Sequence, residues 1–128
     1  MLTSFEPFRI EQHGAVCVVR AVGDVDFANS ARLERTMLEA SAAHSGPVIA
    51  SFADCTFADC SCLNVLIRAF KMLGERLQIV APPKSILRRV LDLTNMSGVL
   101  PIHDEFTGAL VVARSSGGYQ SDANRPCA

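Results

Sequence analysis

The sequence predicts a single α/β domain with a mixed, mostly parallel sheet of about five strands, an N-terminal antiparallel hairpin and about four helices. Three observations predict it. The chain opens with two β-like runs separated by a turn signal, His13-Gly14. Thereafter short apolar, β-branched runs alternate with segments whose apolar residues recur at helical spacing, the order that gives parallel strands joined by crossover helices. The chain has 128 residues, enough for one core of ordinary size.

In order, Phe8 to Gln12 alternates apolar and polar, as a half-exposed strand does, and Ala15 to Val22 is a continuous apolar β run. Gly23-Asp24-Val25-Asp26 closes that strand, and Asn29 or Ser30 can cap a helix through Ala43 with Leu33, Met37 and Ala40 inward. Pro47 to Phe52 reads as a buried strand. Thr56 to Leu63 follows as a strand-to-helix turn, and a helix from Leu63 to Leu73 ends at Gly74, a C-cap signal. Leu77 to Ala81 is a further strand. Pro82-Pro83 is expected to start a helix whose apolar side is Ile86, Leu87, Val90, Leu91 and Leu93, with Asn95 as a left-handed C-cap. Val99 to Ile102 is expected as an edge or terminal strand because of Pro101. A last helix is expected to open at His103-Asp104-Glu105, with Phe106, Ala109, Leu110 and Ala113 apolar, and the Ser/Gly-rich remainder reads as a mobile tail.

The candidate functional stretch is Thr56 to Leu63, with Ser61 near a helix N-terminus, where unpaired N–H groups and the positive dipole end suit a hydroxyl cap or an anion. The helix divides into three arcs at about 100° per residue. Leu63, Leu66, Ile67, Phe70 and Leu73 form a core arc, and Ser61, Asn64, Arg68 and Lys71 a polar one. Cys62, Val65, Ala69 and Met72 form a second apolar arc, which either faces a neighbouring helix or is a docking strip beside the serine. Ser61 likewise has two readings, a plain N-cap or a site of reversible modification. Both Asp26 and Asp59 follow strands directly, so both are expected at the strand C-terminal rim where α/β sheets bind ligands and partners.

Composition narrows the function classes. Net charge is −1, which gives no electrostatic case for nucleic acid or an anionic membrane, and the basic side Lys84, Arg88 and Arg89 reads as a solvated helix face. No apolar run approaches the roughly 20 residues of a membrane span, and Met1 to Pro7 lacks the basic start and apolar core of a signal peptide. The cytosol is the expected location. Five cysteines (Cys17, Cys55, Cys60, Cys62 and Cys127) are an odd number without a disulfide spacing and fit reduced thiols packed as small apolar groups. There is no C-x-x-C pair, and His13, His44 and His103 are remote in sequence, so neither metal nor cofactor is expected. Asp59 with Ser61, or Cys60, could nominally serve as base or nucleophile. No Gly-x-Ser-x-Gly elbow or phosphate-cradling loop accompanies them, so the chain is not expected to be an enzyme.

Gly23-x-x-Asp26, Thr56-Phe57-x-Asp59-x-Ser61-x-Leu63, Val90-Leu91-x-Leu93-Thr94 and Leu100-Pro101-Ile102 together resemble the STAS domain, specifically bacterial anti-sigma factor antagonists, from Phe8 to Ala113. The most specific part is Asp59-Cys60-Ser61-Cys62-Leu63, similar to the family's Asp-Ser-Ser-Gly-Leu turn. Residues 1–114 would then be a STAS-like domain and 115–128 the tail. The resemblance implies partner switching. Unmodified, the antagonist binds an ATP-binding anti-sigma factor kinase and frees a sigma factor, and phosphorylation of the residue matching Ser61 releases the kinase. Asp26 matches the acidic residue after the second strand and Asp59 the one that opens the turn. The partner surface is expected on Asp26, Asp59, Cys60, Cys62, Asn64, Val65, Arg68, Ala69 and Met72. The chain departs from the pattern at Cys60 (a serine), at Cys62 and Asn64 (glycines), at Ser51 (an aspartate) and at Asn95 (a glycine). An alternative is a non-switching STAS scaffold bound to an ATPase subunit of a transporter or stress complex.

Overall fold

The computed structural model describes residues 7–43 and 45–124, with the side chains of those up to 115. The expectations for residues 1–6, for His44 and for the last four residues with Cys127 lie outside the described part. The elements are β1 (Phe8–His13), β2 (Val16–Val25), α1 (Ser30–Ala43), β3 (Val48–Ala58), α2 (Cys60–Leu73), a short 3-10 turn (Gly74–Arg76), β4 (Leu77–Val80), α3 (Ile86–Leu93), β5 (Ile102–His103) and α4 (Phe106–Asn124). One five-stranded sheet has the order β1-β2-β3-β4-β5. β1 and β2 form the antiparallel hairpin, and every later pairing is parallel.

The apolar runs are continuous because both sheet faces are covered. Cys17, Val19, Ala21, Val48, Ala50, Phe52, Leu77 and Ile79 belong to the large core under α1, α2 and α3. The residues between them, Val16, Val18, Ile49 and Val80, pack instead with Ala109 and Ala113 of α4. On that second face β1 and β2 also carry a polar group. Arg20 donates to both carboxylate oxygens of Glu11 at 3.1 and 3.2 Å, and its guanidinium lies 5.8 Å from the Phe106 ring centre.

Several boundaries differ from the sequence reading, each for a local reason. β3 runs on to Ala58, so the expected eight-residue turn shrinks to Asp59 alone. β2 continues to pair with it, Asp24 opposite Phe57 and Val25 opposite Ala58, through two irregularities in register. Such bulges bend the bulged strand and sharpen its twist. Gly23, at φ 85°, sits at the second of them, in the left-handed region that favours glycine. α3 begins at Ile86 rather than at Pro82-Pro83, because Ser85 Oγ accepts the Arg88 N–H at 3.2 Å and sets the cap. Asn95 does take a left-handed conformation, φ 62°, just past α3.

The strand expected at Val99–Ile102 is only Ile102–His103. Residues before it turn on themselves, with the Val99 and Leu100 N–H groups bonded to the Met96 carbonyl. His103 pairs with Val80 in the sheet, which delays α4 to Phe106. α4 then continues to Asn124, past Ala113 where the apolar spacing stops and into the stretch read as tail. Among the described residues, no helix is long and apolar enough to cross a membrane.

Candidate functional site

β2 and β3 are adjacent and parallel, so their C-terminal ends emerge together. The last paired residues are Val25 and Ala58, which places Asp26 and Asp59 side by side on the rim of the sheet. Asp59 is the N-cap of α2. It is extended, at φ −121° and ψ −168°, and its Oδ1 accepts the Ser61 backbone N–H at 2.9 Å. The Ser61 hydroxyl donates to the same Oδ1. The Cys62 and Phe27 backbone N–H dipoles also act on this carboxylate. The Ser61 hydroxyl bond first, and then these N–H groups, hold the Asp59 carboxyl below the usual carboxylate range.

Ser61 is therefore not the cap, which corrects one of its two readings. It is the second residue of α2, partly exposed, its hydroxyl turned onto the capping carboxylate. Cys60 before it and Asn64 one turn later are exposed.

The Asp26 end of the rim is a tightly bonded loop. Asp26 Oδ1 accepts the Ala28 N–H at 3.0 Å, and the Asp26 N–H donates to Asn29 Oδ1 at 2.9 Å. Asn29 Nδ2 donates to the Asp24 carbonyl at 2.9 Å, and Thr56 Oγ1 donates to Asp24 Oδ1 at 2.8 Å. The loop between β2 and α1 is thus tied to β3 through Thr56.

The second apolar arc of α2 is a correction. Cys62, Val65 and Ala69 are buried in the main core, so they present no docking strip. α1 lies alongside α2. The groove between them, lined by Met37, Leu38, Val65, Ala69, Met72 and Leu73, leaves only about 10 Å³, room for at most one water. Of the four residues only Met72, 64% exposed, remains on the surface. Arg68 is exposed but engaged, donating at 2.9 Å to each carboxylate oxygen of Glu34 on α1.

Three of the thiols are quiet as well. Burial pushes the Cys17 and Cys62 thiols up, and burial with the nearby Asp24 does the same at Cys55, so all three favour the protonated form. Among the described residues no three His, Cys, Asp or Glu side chains are grouped to hold a metal ion.

Of the expected site residues, the fold brings together Asp26, Asp59, Cys60, Ser61 and Asn64, and withdraws Cys62, Val65 and Ala69. Sequence reasoning missed Phe27, 85% exposed, and Phe57, 41% exposed, which stand on this rim. The signal was present: Phe27 is a large apolar residue inside the turn sequence Asp26-Phe27-Ala28-Asn29, where no periodicity demands one.

Comparison with known proteins places this arrangement. The chain is similar to an anti-sigma factor antagonist from Mycobacterium paratuberculosis, with 24% identity, a TM-score of 0.76, and 84% of this chain and 92% of the other covered. It is similar also to the anti-sigma factor antagonist SpoIIAA in its unphosphorylated form, with 17% identity, a TM-score of 0.58, and coverage of 86% and 98%. The phosphorylated form of Bacillus SpoIIAA matches with 16% identity, a TM-score of 0.61, and coverage of 81% and 96%. At these identities the likeness is one of fold. Among curated sequences none matches. The family model of the STAS domain matches residues 7–109, from the residue before β1 into α4 and across the whole rim just described, and the chain belongs to the STAS domain family.

Proposed function

We propose that this protein is an anti-sigma factor antagonist that works by partner switching, binding rather than catalysing. Unmodified, it holds an ATP-binding anti-sigma factor serine kinase in the cytosol; phosphorylated on Ser61, it lets go. The observation that carries this reading is the partly exposed Ser61 hydroxyl in the first turn of α2, on the rim of a STAS domain. The structural neighbours include anti-sigma factor antagonists, one of them described in unphosphorylated and phosphorylated forms.

In the transfer, Ser61 Oγ bonds to the γ-phosphorus of ATP and the bond to the bridging oxygen breaks. ADP leaves with that electron pair, and the hydroxyl proton, in the resting protein donated to Asp59, is lost to the kinase or solvent. The product carries about −1.5 to −2 charges. The α2 N-terminus offsets part of this, about 0.3–1 kcal/mol. Asp59 and Asp26 oppose it, and a partner seated on the rim would have to desolvate it. A penalty of about 3 kcal/mol weakens binding more than a hundredfold.

Incubating the protein with ATP and the serine-kinase anti-sigma factors of its own genome, followed by mass spectrometry, tests the reading. One added phosphate on Ser61, none on Ser61→Ala, and release of the kinase by Ser61→Asp are expected. A Ser61→Asp protein that binds its kinase as tightly as the native one rejects switching.

One observation favours a second reading, a permanent scaffold: the Ser61 hydroxyl is already engaged by the Asp59 carboxylate that caps α2. On that reading the same incubation leaves the mass unchanged, and an ATPase subunit co-purifies stably.

A further inference from the structure

We infer that Phe27 is the anchor by which the serine kinase acting on Ser61 docks onto this protein, a deduction that rests on the switching function proposed above. Phe27 is 85% exposed, the most exposed large apolar side chain among the described residues. Its loop is not slack. The Asp26–Ala28, Asp26–Asn29 and Asn29–Asp24 hydrogen bonds fix the backbone on both sides of it. A ring held out by a bonded loop loses little freedom on docking, the condition under which an aromatic side chain becomes an interface anchor.

Position selects the occupant. The ends of β2 and β3 set Asp26, next to Phe27, beside Asp59, and the Ser61 hydroxyl donates to the Asp59 carboxylate. A kinase whose active site reaches Ser61 Oγ therefore covers the base of Phe27 as well. The apolar arc of α2 offers it nothing near Ser61, since Cys62, Val65 and Ala69 are buried and only Met72, near the far end of the helix, is exposed. The apolar surface left on this rim is Phe27, with Phe57 before the Asp59 turn. Around it stand the carboxylates of Asp24, Asp26 and Asp59. The matching surface on the kinase is an apolar socket for one ring, rimmed by basic groups.

The test uses the full chain, ATP and the kinase found to phosphorylate wild-type Ser61. Phe27→Ala is expected to raise KM for the antagonist about tenfold or more, with kcat changed less than about twofold. Phe27→Leu is expected to recover part of the loss. Both variants should melt with the wild type, because the ring is in solvent. An unchanged KM, or a loss confined to kcat, overturns the inference while leaving the switch intact. So does a wild-type dimer that Phe27→Ala separates in sedimentation, since the ring would then serve a second copy of this chain. If no kinase phosphorylates the wild type, the functional proposal fails and this inference fails with it.

Discussion

The two flanks of α2 contrast in what they leave for a partner. The flank toward α1 carries Cys62, Val65 and Ala69, reads as sticky in the sequence, and is sealed. The start of the helix carries Cys60, Ser61 and Asn64, has little apolar character, and stays open beside Phe27. The lesson is that apolar character on a helix does not by itself mark a binding surface. Whether a neighbouring helix lies across it decides, and in this sheet α1 does.

Breaking the core that the sealed flank belongs to should produce the largest effect. Leu66, fully buried between α2 and the sheet, should cost about 2–5 kcal/mol when replaced by alanine. A domain of this size loses roughly 4 °C of Tm or more per kcal/mol, so a thermal melt will register it plainly. If Leu66→Ala melted with the wild type, the core assigned to α2 would be wrong.

On the open flank the corresponding substitution is Asp59→Ala, which removes the cap from α2 and the acceptor of the Ser61 hydroxyl. Its expected cost is about 0.5–2 kcal/mol in a urea titration. Amide exchange at Ser61 should rise more than in the body of the helix. Asp59→Asn keeps an accepting oxygen and should recover most of the loss.

Acid should sharpen the same contrast. The Asp59 carboxyl lies below its ordinary value chiefly through the Ser61 hydroxyl bond. Glu11 does so through Arg20 and then His13, and Glu34 through Arg68. A carboxyl with a depressed folded value takes up its proton more readily in the unfolded chain. Its contribution is complete above about pH 4–5, the unfolded range, and is lost as pH falls through the folded value. Chemical-denaturation midpoints should therefore fall from pH 5 toward pH 2, and Asp59→Asn should flatten part of that fall. An equally steep fall in the variant would remove Asp59 from the account.

The smallest effect is expected where the two helices meet in solvent. Arg68 is exposed, so removing it from Glu34 should change stability little, and the change should fade at high salt. A large loss from Arg68→Ala that fades at high salt would mean that this pair, rather than the buried arc, holds α1 to α2.

Much of this was legible in the chain. The hairpin signal at His13-Gly14, the alternation of β-branched runs with helical spacing, and Asn95 after α3 gave the architecture because they are local preferences read one segment at a time. The rim position of Asp26 and Asp59 was legible too, since parallel strands end together. The exact bounds were not. Ser85 outweighed Pro82-Pro83 as a helix start, and β3 overran its expected end because β2 kept pairing with it, a non-local contact that no stretch of one strand announces.

The sequence by itself determined the α/β order, the strand-to-helix junction near Ser61 and the residues able to cap a helix, because short-range sterics and side-chain hydrogen bonds fix these. Only the tertiary structure decided which apolar arc of α2 was consumed, that Asp59 rather than Ser61 caps it, and that Phe27 stands out beside the serine. Each of these depends on which elements lie against one another, and burial is a property of neighbours brought together from distant parts of the chain.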